Sequence, residues 1–461
     1  MQPYNPARET AKNIVLRLSQ FVYVLLLTLN LPLVILADTN TLDWPDFLGP
    51  ARNGKSQEKI EITPWRNTGP PVIWHKKIGT SYGAPTVSDG RLFIFARHGD
   101  MARLTCMKST TGTELWRFEY PTDYEDMYGY NNGPRSCPVI DGERAYIFGV
   151  QGKLHCLSVS DGTLLWKVDT AARFNVVQNF FGTASTPIVE GDLLIAQIGG
   201  SPPGTPKDVW ASNGKPPPNG TGIVAFNKHT GEVVYKISDE LASYASPITA
   251  TINGRRWGFM FSRGGLVGFE PTTGKLDFYY PWRCSRIESV NASSPVVADD
   301  LVFISESYEV GSSVLQVYPG GYKVVWKDSP RREQSMKLHW NTAIHHEGYL
   351  YGCSSRHSSG GELRCVEIKT GKVVWGQRVN ERASLLWVND YFIYLGEYGR
   401  MMLLKCTPEK MDILSEAVPR DENGRQFIEY PAWSAPALSN GLLYVRGKDR
   451  LVCLDLRSET K

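Results

Sequence analysis

One pattern recurs along this chain about every 50 residues, and it restricts the fold more than any other feature. Each copy runs Ser/Ala-x-Pro, an apolar strand after a Gly or Asp turn, a second strand, Leu-x-Cys-Leu, and then Thr/Asp-Gly-x-x-x-Trp. The clearest copy is Ser136-Cys137-Pro138-Val139-Ile140-Asp141-Gly142, residues 145–150, Lys153-Leu154-His155-Cys156-Leu157 and Asp161-Gly162-Thr163-Leu164-Leu165-Trp166. Others begin at Ala84-Pro85, Thr186-Pro187, Ser246-Pro247, Ser294-Pro295 and Ala435-Pro436, with more divergent ones near Thr342-Ala343-Ile344 and Leu385-Leu386-Trp387. A unit of this length holds four short antiparallel strands, and a fixed period of this size marks a repeat architecture.

The end of the unit is as regular as its start. Gly112/Trp116, Gly162/Trp166, Gly231/Tyr235, Gly274/Phe278 and Gly371/Trp375 place an aromatic four residues after a turn glycine. Glycine supplies the positive φ of the turn, and the aromatic fills the space between neighbouring sheets. Trp326 holds this place in the fifth copy, while the copy near Lys410 has no aromatic. The units fall at 81–119, 133–169, 182–238, 244–282, 291–328, 340–379, 383–418 and 431–457. The last stops at Leu454-Asp455-Leu456, before a final strand, and Pro71-Val72-Ile73-Trp74-His75-Lys76 is a strand without a unit.

Pairing the two closes a ring and removes its exposed edges. The expected fold is therefore all-β, a single eight-bladed β-propeller over residues 70–457, closed by the N-terminal strand. Seven blades result if the divergent stretch 385–418 is not a full blade. A length of 461 residues would otherwise suggest about three domains. Residues 199–222, with Ser201-Pro202-Pro203-Gly204 and Pro216-Pro217-Pro218-Asn219-Gly220, break the strand pattern and read as a surface-loop insertion in the third blade.

Residues 1–37 stand outside the repeat. Arg8, Lys12 and Arg17 precede an uncharged apolar run over residues 21–37, the order of a secretory signal or of an uncut membrane anchor. Both place the protein outside the cytoplasm, in the periplasm or on the envelope, with membrane association through residues 21–37 if the run is kept. Residues 38–69 then lead into the propeller. Lys plus Arg number 50 against 47 Asp plus Glu, a balance that argues against nucleic acid as a partner.

The chemistry-bearing residues are sparse. Cys106, Cys156, Cys365, Cys406 and Cys453 fall at one point of one strand in different units, beyond the roughly 7 Å Cα reach of a disulfide, and read as small buried hydrophobes. No Cys-x-x-Cys, nucleophile elbow, phosphate-binding glycine loop or zinc-protease helix is present. His345 and His346 point to opposite faces of a strand, and His339 has no second ligand at metal spacing, so it reads as a polar channel residue. No catalytic or metal-ligating residue is assigned.

What remains is the loop before each proline start, where chain crosses from one blade to the next at a mouth of the channel. These loops mix aromatics, amides and arginine, and Tyr130, Asn131, Arg135, Asn179, Asn291, His339, Trp340, Asn341 and Trp433 are the candidates. That composition suits stacking and hydrogen bonding to a flat or extended polar ligand; it equally suits wedging blades around a water-filled channel.

The Gly-x-Leu-x-Cys-Leu and Thr-Gly-x-x-x-Trp elements, best carried by residues 152–166 and 361–375, resemble the pyrroloquinoline-quinone (PQQ) repeat family. Trp44-Pro45-Asp46-Phe47-Leu48-Gly49-Pro50-Ala51-Arg52-Asn53-Gly54 resembles the opening of exported bacterial members. The resemblance implies the propeller and two kinds of function. Quinoprotein dehydrogenases hold PQQ with calcium at the channel mouth and use an Asp base; BamB-like propellers serve outer-membrane protein assembly without catalysis. The adjacent Cys-Cys pair typical of the dehydrogenases is missing here, as is the lipidation cysteine of the BamB-like proteins. The leading expectation is an exported non-catalytic scaffold binding a protein or polymer partner in the envelope. The alternatives are a PQQ-dependent oxidoreductase acting on alcohols or sugars and a carbohydrate-binding propeller resting on Trp340 and Trp433.

Overall fold

The computed structural model describes residues 42–207, 209–330 and 333–457. The proposed signal or anchor over residues 1–37 lies outside them. The described strands form eight four-stranded antiparallel sheets. Blades 1 to 7 span residues 86–121, 139–169, 188–237, 248–281, 296–327, 344–378 and 383–417. Blade 8 takes three strands from residues 437–455, and Val72–Lys77 pairs antiparallel with Arg450–Asp455 as its fourth, with Trp74 opposite Cys453. The ring is thus closed by the N-terminal strand. Residues 383–417 make a full blade, which removes the seven-bladed alternative.

Burial follows position in the blade. Leu442–Arg446, a second strand, is buried throughout, whereas the outermost strand Val72–Lys77 alternates between half-buried and exposed residues. Middle strands are covered by a neighbouring blade on both faces, so both sets of their side chains are apolar; the outer strand keeps one face in water.

The glycine-to-aromatic spacing is a latch between blades. The indole N–H of Trp74 donates to the Ser109 carbonyl of blade 1 at 2.9 Å, Trp116 to Val159 at 2.9 Å, Trp166 to Lys228 at 3.1 Å, Trp326 to Ile368 at 2.7 Å and Trp375 to Thr407 at 2.9 Å. Tyr235 donates through its hydroxyl to the Pro271 carbonyl at 2.6 Å. Each acceptor lies in the turn of the next blade. The turn needs glycine for two reasons: at Gly162 and Gly231 φ is +77° and +75°, and a Cβ would stand 2.5 Å and 2.7 Å from the rings of Trp116 and Trp166.

The cysteine repeat has the same origin. Cys106, Cys156, Cys365 and Cys453 sit opposite Trp116, Trp166, Trp375 and Trp74 in the strand register, where only a small side chain fits beside the ring. Cys406 departs from the expected series: it lies opposite Met411, and Leu403 holds the equivalent place. Ser415 stands where the aromatic would be, so the larger Leu403 fills the vacated space. All eight cysteines are buried and unbridged.

The Ser/Ala-x-Pro starts form a second seam around the channel. The Cys137 backbone N–H donates to Thr186 Oγ1, Thr186 N–H to Ser246 Oγ, Ser246 N–H to Ser294 Oγ and Ser294 N–H to Thr342 Oγ1, all between 3.0 and 3.2 Å. Each hydroxyl thus satisfies a donor of the preceding blade that would otherwise be buried unpaired.

Residues 42–56 cross one end of the channel. Trp44 bridges to Val87 of blade 1, the Ile140 N–H of blade 2 donates to the Pro45 carbonyl, and Trp387 of blade 7 accepts from the Ser56 N–H and donates to the Gly54 carbonyl. The turn between is built by the Trp44-to-Gly54 motif: Asp46 accepts from Arg52 Nε at 2.7 Å, and Gly49, at φ +84°, lies so close to the Trp44 ring that a Cβ would meet it at 2.9 Å. The turn pushes Leu48 against Ala84, Cys137 and Ala435, with Phe47 beside it.

Candidate functional site

Each strand reverses direction, so the crossing loops and the hairpins between second and third strands open on the same face. Between them lies a cavity of about 390 Å³ in the mouth of the channel. Its lining includes Phe47 and Leu48, which close the far end, so the cavity is blind.

Trp433 is the hub of the wall. Its ring lies 5.1 Å from Tyr82, 6.2 Å from Tyr130, 6.2 Å from Trp340 and 5.9 Å from Tyr430. Arg382 lies over it at 5.0 Å and over Trp340 at 6.0 Å. The same guanidinium is fixed by Glu397, with Nη2 to Oε2 at 2.6 Å, and Glu397 also accepts the Trp433 indole N–H at 2.8 Å. Burial alone would raise the Glu397 carboxyl, but hydrogen bonds from Arg382 outweigh it and carry the group below the usual glutamate value.

Arg135 forms a second buried pair with Asp126, and lies over Tyr82 at 5.7 Å. Asp126 also accepts the Tyr128 N–H at 2.9 Å, so this ion pair ties up the first crossing loop. The third pocket arginine, Arg356, lies over the Tyr308 ring at 4.0 Å with no carboxylate partner among the described residues.

His339 stands between these cations, its ring 5.8 Å from Tyr308 and its Nδ1 3.5 Å from Arg382 Nη1. Burial, reinforced by Arg382, Arg356 and His357, pushes the imidazole down to about 3. The ring is neutral at physiological pH and accepts from Arg382. The unfolded chain takes up this proton near pH 6.5 and the folded chain refuses it until near pH 3. Stability is therefore complete above about pH 6.5 and lost as the pH falls below it; urea unfolding near pH 5 should show a loss of about 1–2 kcal/mol that His339→Gln removes.

Of the residues singled out from sequence, Tyr130, Arg135, His339, Trp340, Asn341 and Trp433 line the cavity. Asn131, Asn179 and Asn291 do not. Asn131 Oδ1 accepts the Gly133 N–H, Asn179 Oδ1 accepts from Arg263, and Asn291, wholly buried, donates to the carbonyls of Ser262 and Trp282. Sequence reasoning missed Arg356 and Tyr308, which sit on second-to-third-strand hairpins, and Arg382, which precedes blade 7, whose start Ser384-Leu385-Leu386 lacks the proline.

Outside the cavity the rim is aromatic and exposed. Tyr128, Tyr130, Tyr398 and Tyr430 are each 45–60% exposed. Tyr398 stacks on Tyr430 at 5.0 Å, and Tyr128 lies 5.5 Å from Phe181. The third-blade insertion reaches the same rim, where Trp210 packs 5.2 Å from Phe180 and its Nε1 lies 3.3 Å from Met127 Sδ.

A calcium-bound quinone does not suit this wall. Calcium takes about six to eight oxygen ligands, mostly carboxylate and carbonyl. Asp126 and Glu397 are committed to arginines, Glu306 beside Tyr308 is taken up by the backbone N–H groups of its own hairpin, and among the described residues no three His, Cys, Asp or Glu side chains gather as a donor set. Among those residues no helix is long and apolar enough to cross a membrane.

Residues 100–377 match the family described as outer membrane protein assembly factor BamB. No curated protein matches by sequence. Among solved structures the chain resembles BamB from Moraxella catarrhalis, with 12% identity, TM-score 0.55, 85% of this chain and 98% of that one covered. It also resembles the quinohemoprotein alcohol dehydrogenase from Comamonas testosteroni, with 12% identity, TM-score 0.64, 92% and 82% covered. A computationally designed protein, Ika8, shares the fold at 9% identity and TM-score 0.53, covering 84% and 100%. At such identities the likeness speaks for the fold alone.

Proposed function

The chain belongs to the family of the outer membrane protein assembly factor BamB, and from that membership we propose that it is an exported, non-catalytic propeller holding a protein partner of the cell envelope on its loop-bearing mouth. The observation that carries this reading is the exposed aromatic rim continuous with the cavity, formed by Tyr128, Tyr130, Tyr398, Tyr430 and the Trp210 insertion. A contiguous exposed apolar patch on a rigid scaffold is the usual mark of an interaction site, and tyrosine and tryptophan are the side chains that dominate such sites. Residues 1–37 would direct export, and residues 21–37 would hold the protein at the membrane if left uncut.

The donor set speaks against the quinoprotein oxidoreductase, as described above. A sugar would need a free indole face, and Trp433 is ringed by Tyr82, Tyr130, Trp340 and Tyr430 with Arg382 over it. Affinity capture from an envelope fraction tests the proposal. The native protein should retain a stoichiometric partner, and Tyr130→Ser with Tyr430→Ser should reduce its recovery about tenfold, since each ring is an exposed contact of a typical interface anchor. Reduction of an artificial acceptor by the protein supplied with PQQ, calcium and an alcohol or sugar would overturn it.

A further inference from the structure

We infer that the blind cavity captures the carboxyl-terminal end of a partner chain, with the terminal carboxylate on Arg356 and an aromatic or large apolar last side chain against the Trp433 rings. This rests on the partner-binding reading above and names the part of the partner that enters the propeller.

Charge is the first support. Arg135 and Arg382 are neutralised by Asp126 and Glu397, whereas Arg356 has neither a carboxylate nor a side-chain hydrogen bond among the described residues. Its guanidinium is held over the Tyr308 ring at 4.0 Å. A planar cation fixed in a recess matches a carboxylate through two parallel hydrogen bonds, and a guanidinium prefers this partner over most others. The neighbouring imidazole carries no charge at physiological pH, and with Nδ1 accepting from Arg382 it offers its Nε2–H as a donor without repelling the arginine.

Shape is the second support. Phe47 and Leu48 close the inner end, so a chain entering the mouth must stop inside or double back. A volume of about 390 Å³ lies near the lower limit of the roughly 300–1,000 Å³ of small-ligand sites, which leaves room for a chain end and little for a hairpin. The third support is continuity: the rings around Trp433 run out through Tyr430 to Tyr398 on the surface, so residues preceding the captured end lie along exposed aromatics. Capture of a terminal carboxylate beside an apolar pocket is a recurrent mode of peptide recognition.

Fluorescence anisotropy with a labelled Gly-Ser-Gly-Ser-Phe peptide tests the inference. The free acid should saturate below about 1 mM, a weak but specific range, and its C-terminal amide should bind about tenfold more weakly, the effect of one charge-assisted bond. Arg356→Gln should weaken the acid to the level of the amide and leave the amide unchanged, while Arg356→Lys should restore part of the difference. N-acetyl-phenylalanine should compete more weakly than the unlabelled peptide. Equal binding of acid and amide, an unchanged affinity in Arg356→Gln, or no saturation would overturn the chain-end assignment. So would N-acetyl-phenylalanine competing as well as the peptide, which would make the cavity a site for a small amphipathic acid. Because Arg356 lies apart from Tyr130 and Tyr430 in the chain, loss of partner capture in the rim variant alongside a failed peptide test would leave the partner reading standing and this one refuted.

Discussion

Trp166→Ala is expected to lower the unfolding free energy by about 3–5 kcal/mol, the range for emptying a buried indole site. Trp166 is 9% exposed and its ring joins two blades. It lies beside Tyr146 and opposite Cys156 of blade 2, in one apolar cluster with Leu194, Val224 and Phe226 of blade 3. Its N–H serves the Lys228 carbonyl, and its face lies on Gly231, whose bare Cα leaves room for it. Truncation removes apolar contact, leaves that carbonyl to find another donor, and opens a void that two hydrogen-bonded sheets cannot collapse into. The adjacent Leu165 is 46% exposed, and Leu165→Ala should change stability by no more than about 0.5 kcal/mol. Urea denaturation of the two variants separates the latch from a general effect of shortening an outer strand.

Glu397→Gln should cost about 3–5 kcal/mol, because it leaves the Arg382 guanidinium buried without a counter-charge. The Arg382 side chain is 10% exposed and Glu397 has no exposure at all. The carboxylate accepts from Arg382 Nη2 at 2.6 Å, from the Arg382 backbone at 3.0 Å and from the Trp433 indole at 2.8 Å, so one group fixes both the cation and the hub ring of the cavity. Arg382→Met alone should be comparably harmful, leaving the anion unpaired. The double variant should cost less than the sum by at least about 1 kcal/mol, since it removes both charges together. Additive costs would mean that the two side chains act independently and that the wall of the cavity is not built around their pairing.

The ring was legible in the sequence because the same constraints recur in every blade. A turn glycine beneath an aromatic and a small side chain opposite it cannot be relaxed one unit at a time. The exception shows the limit of that reading: with Ser415 in the aromatic position, Leu403 takes over the filling, and Cys406 no longer marks the register that its resemblance to Cys365 suggests. The cavity was legible only in part. Trp433, Trp340 and His339 announce themselves by clustering before blade starts. Asn131, Asn179 and Asn291 look equally polar in sequence, yet a backbone N–H of its own loop claims Asn131, Arg263 claims Asn179 and the Ser262 carbonyl of a distant hairpin claims Asn291, demands that local spacing does not reveal. Arg356 and Arg382 were missed for the opposite reason. They come from hairpins and from a start without proline, and only strand parity places them at the same mouth. The closed floor was hidden as well, since nothing in the Trp44-to-Gly54 motif tells that its turn reaches into the channel.

The central claim is that the aromatic mouth is where this propeller meets its partner, and hydroxyl-radical footprinting of the protein alone and within its envelope complex tests it most directly. Tyr128, Tyr130, Tyr398 and Tyr430 should lose reactivity in the complex, while Leu115 and Leu276 on outer strands, 50% and 47% exposed, keep theirs. Protection of the outer strands with an unchanged tyrosine rim would contradict the account.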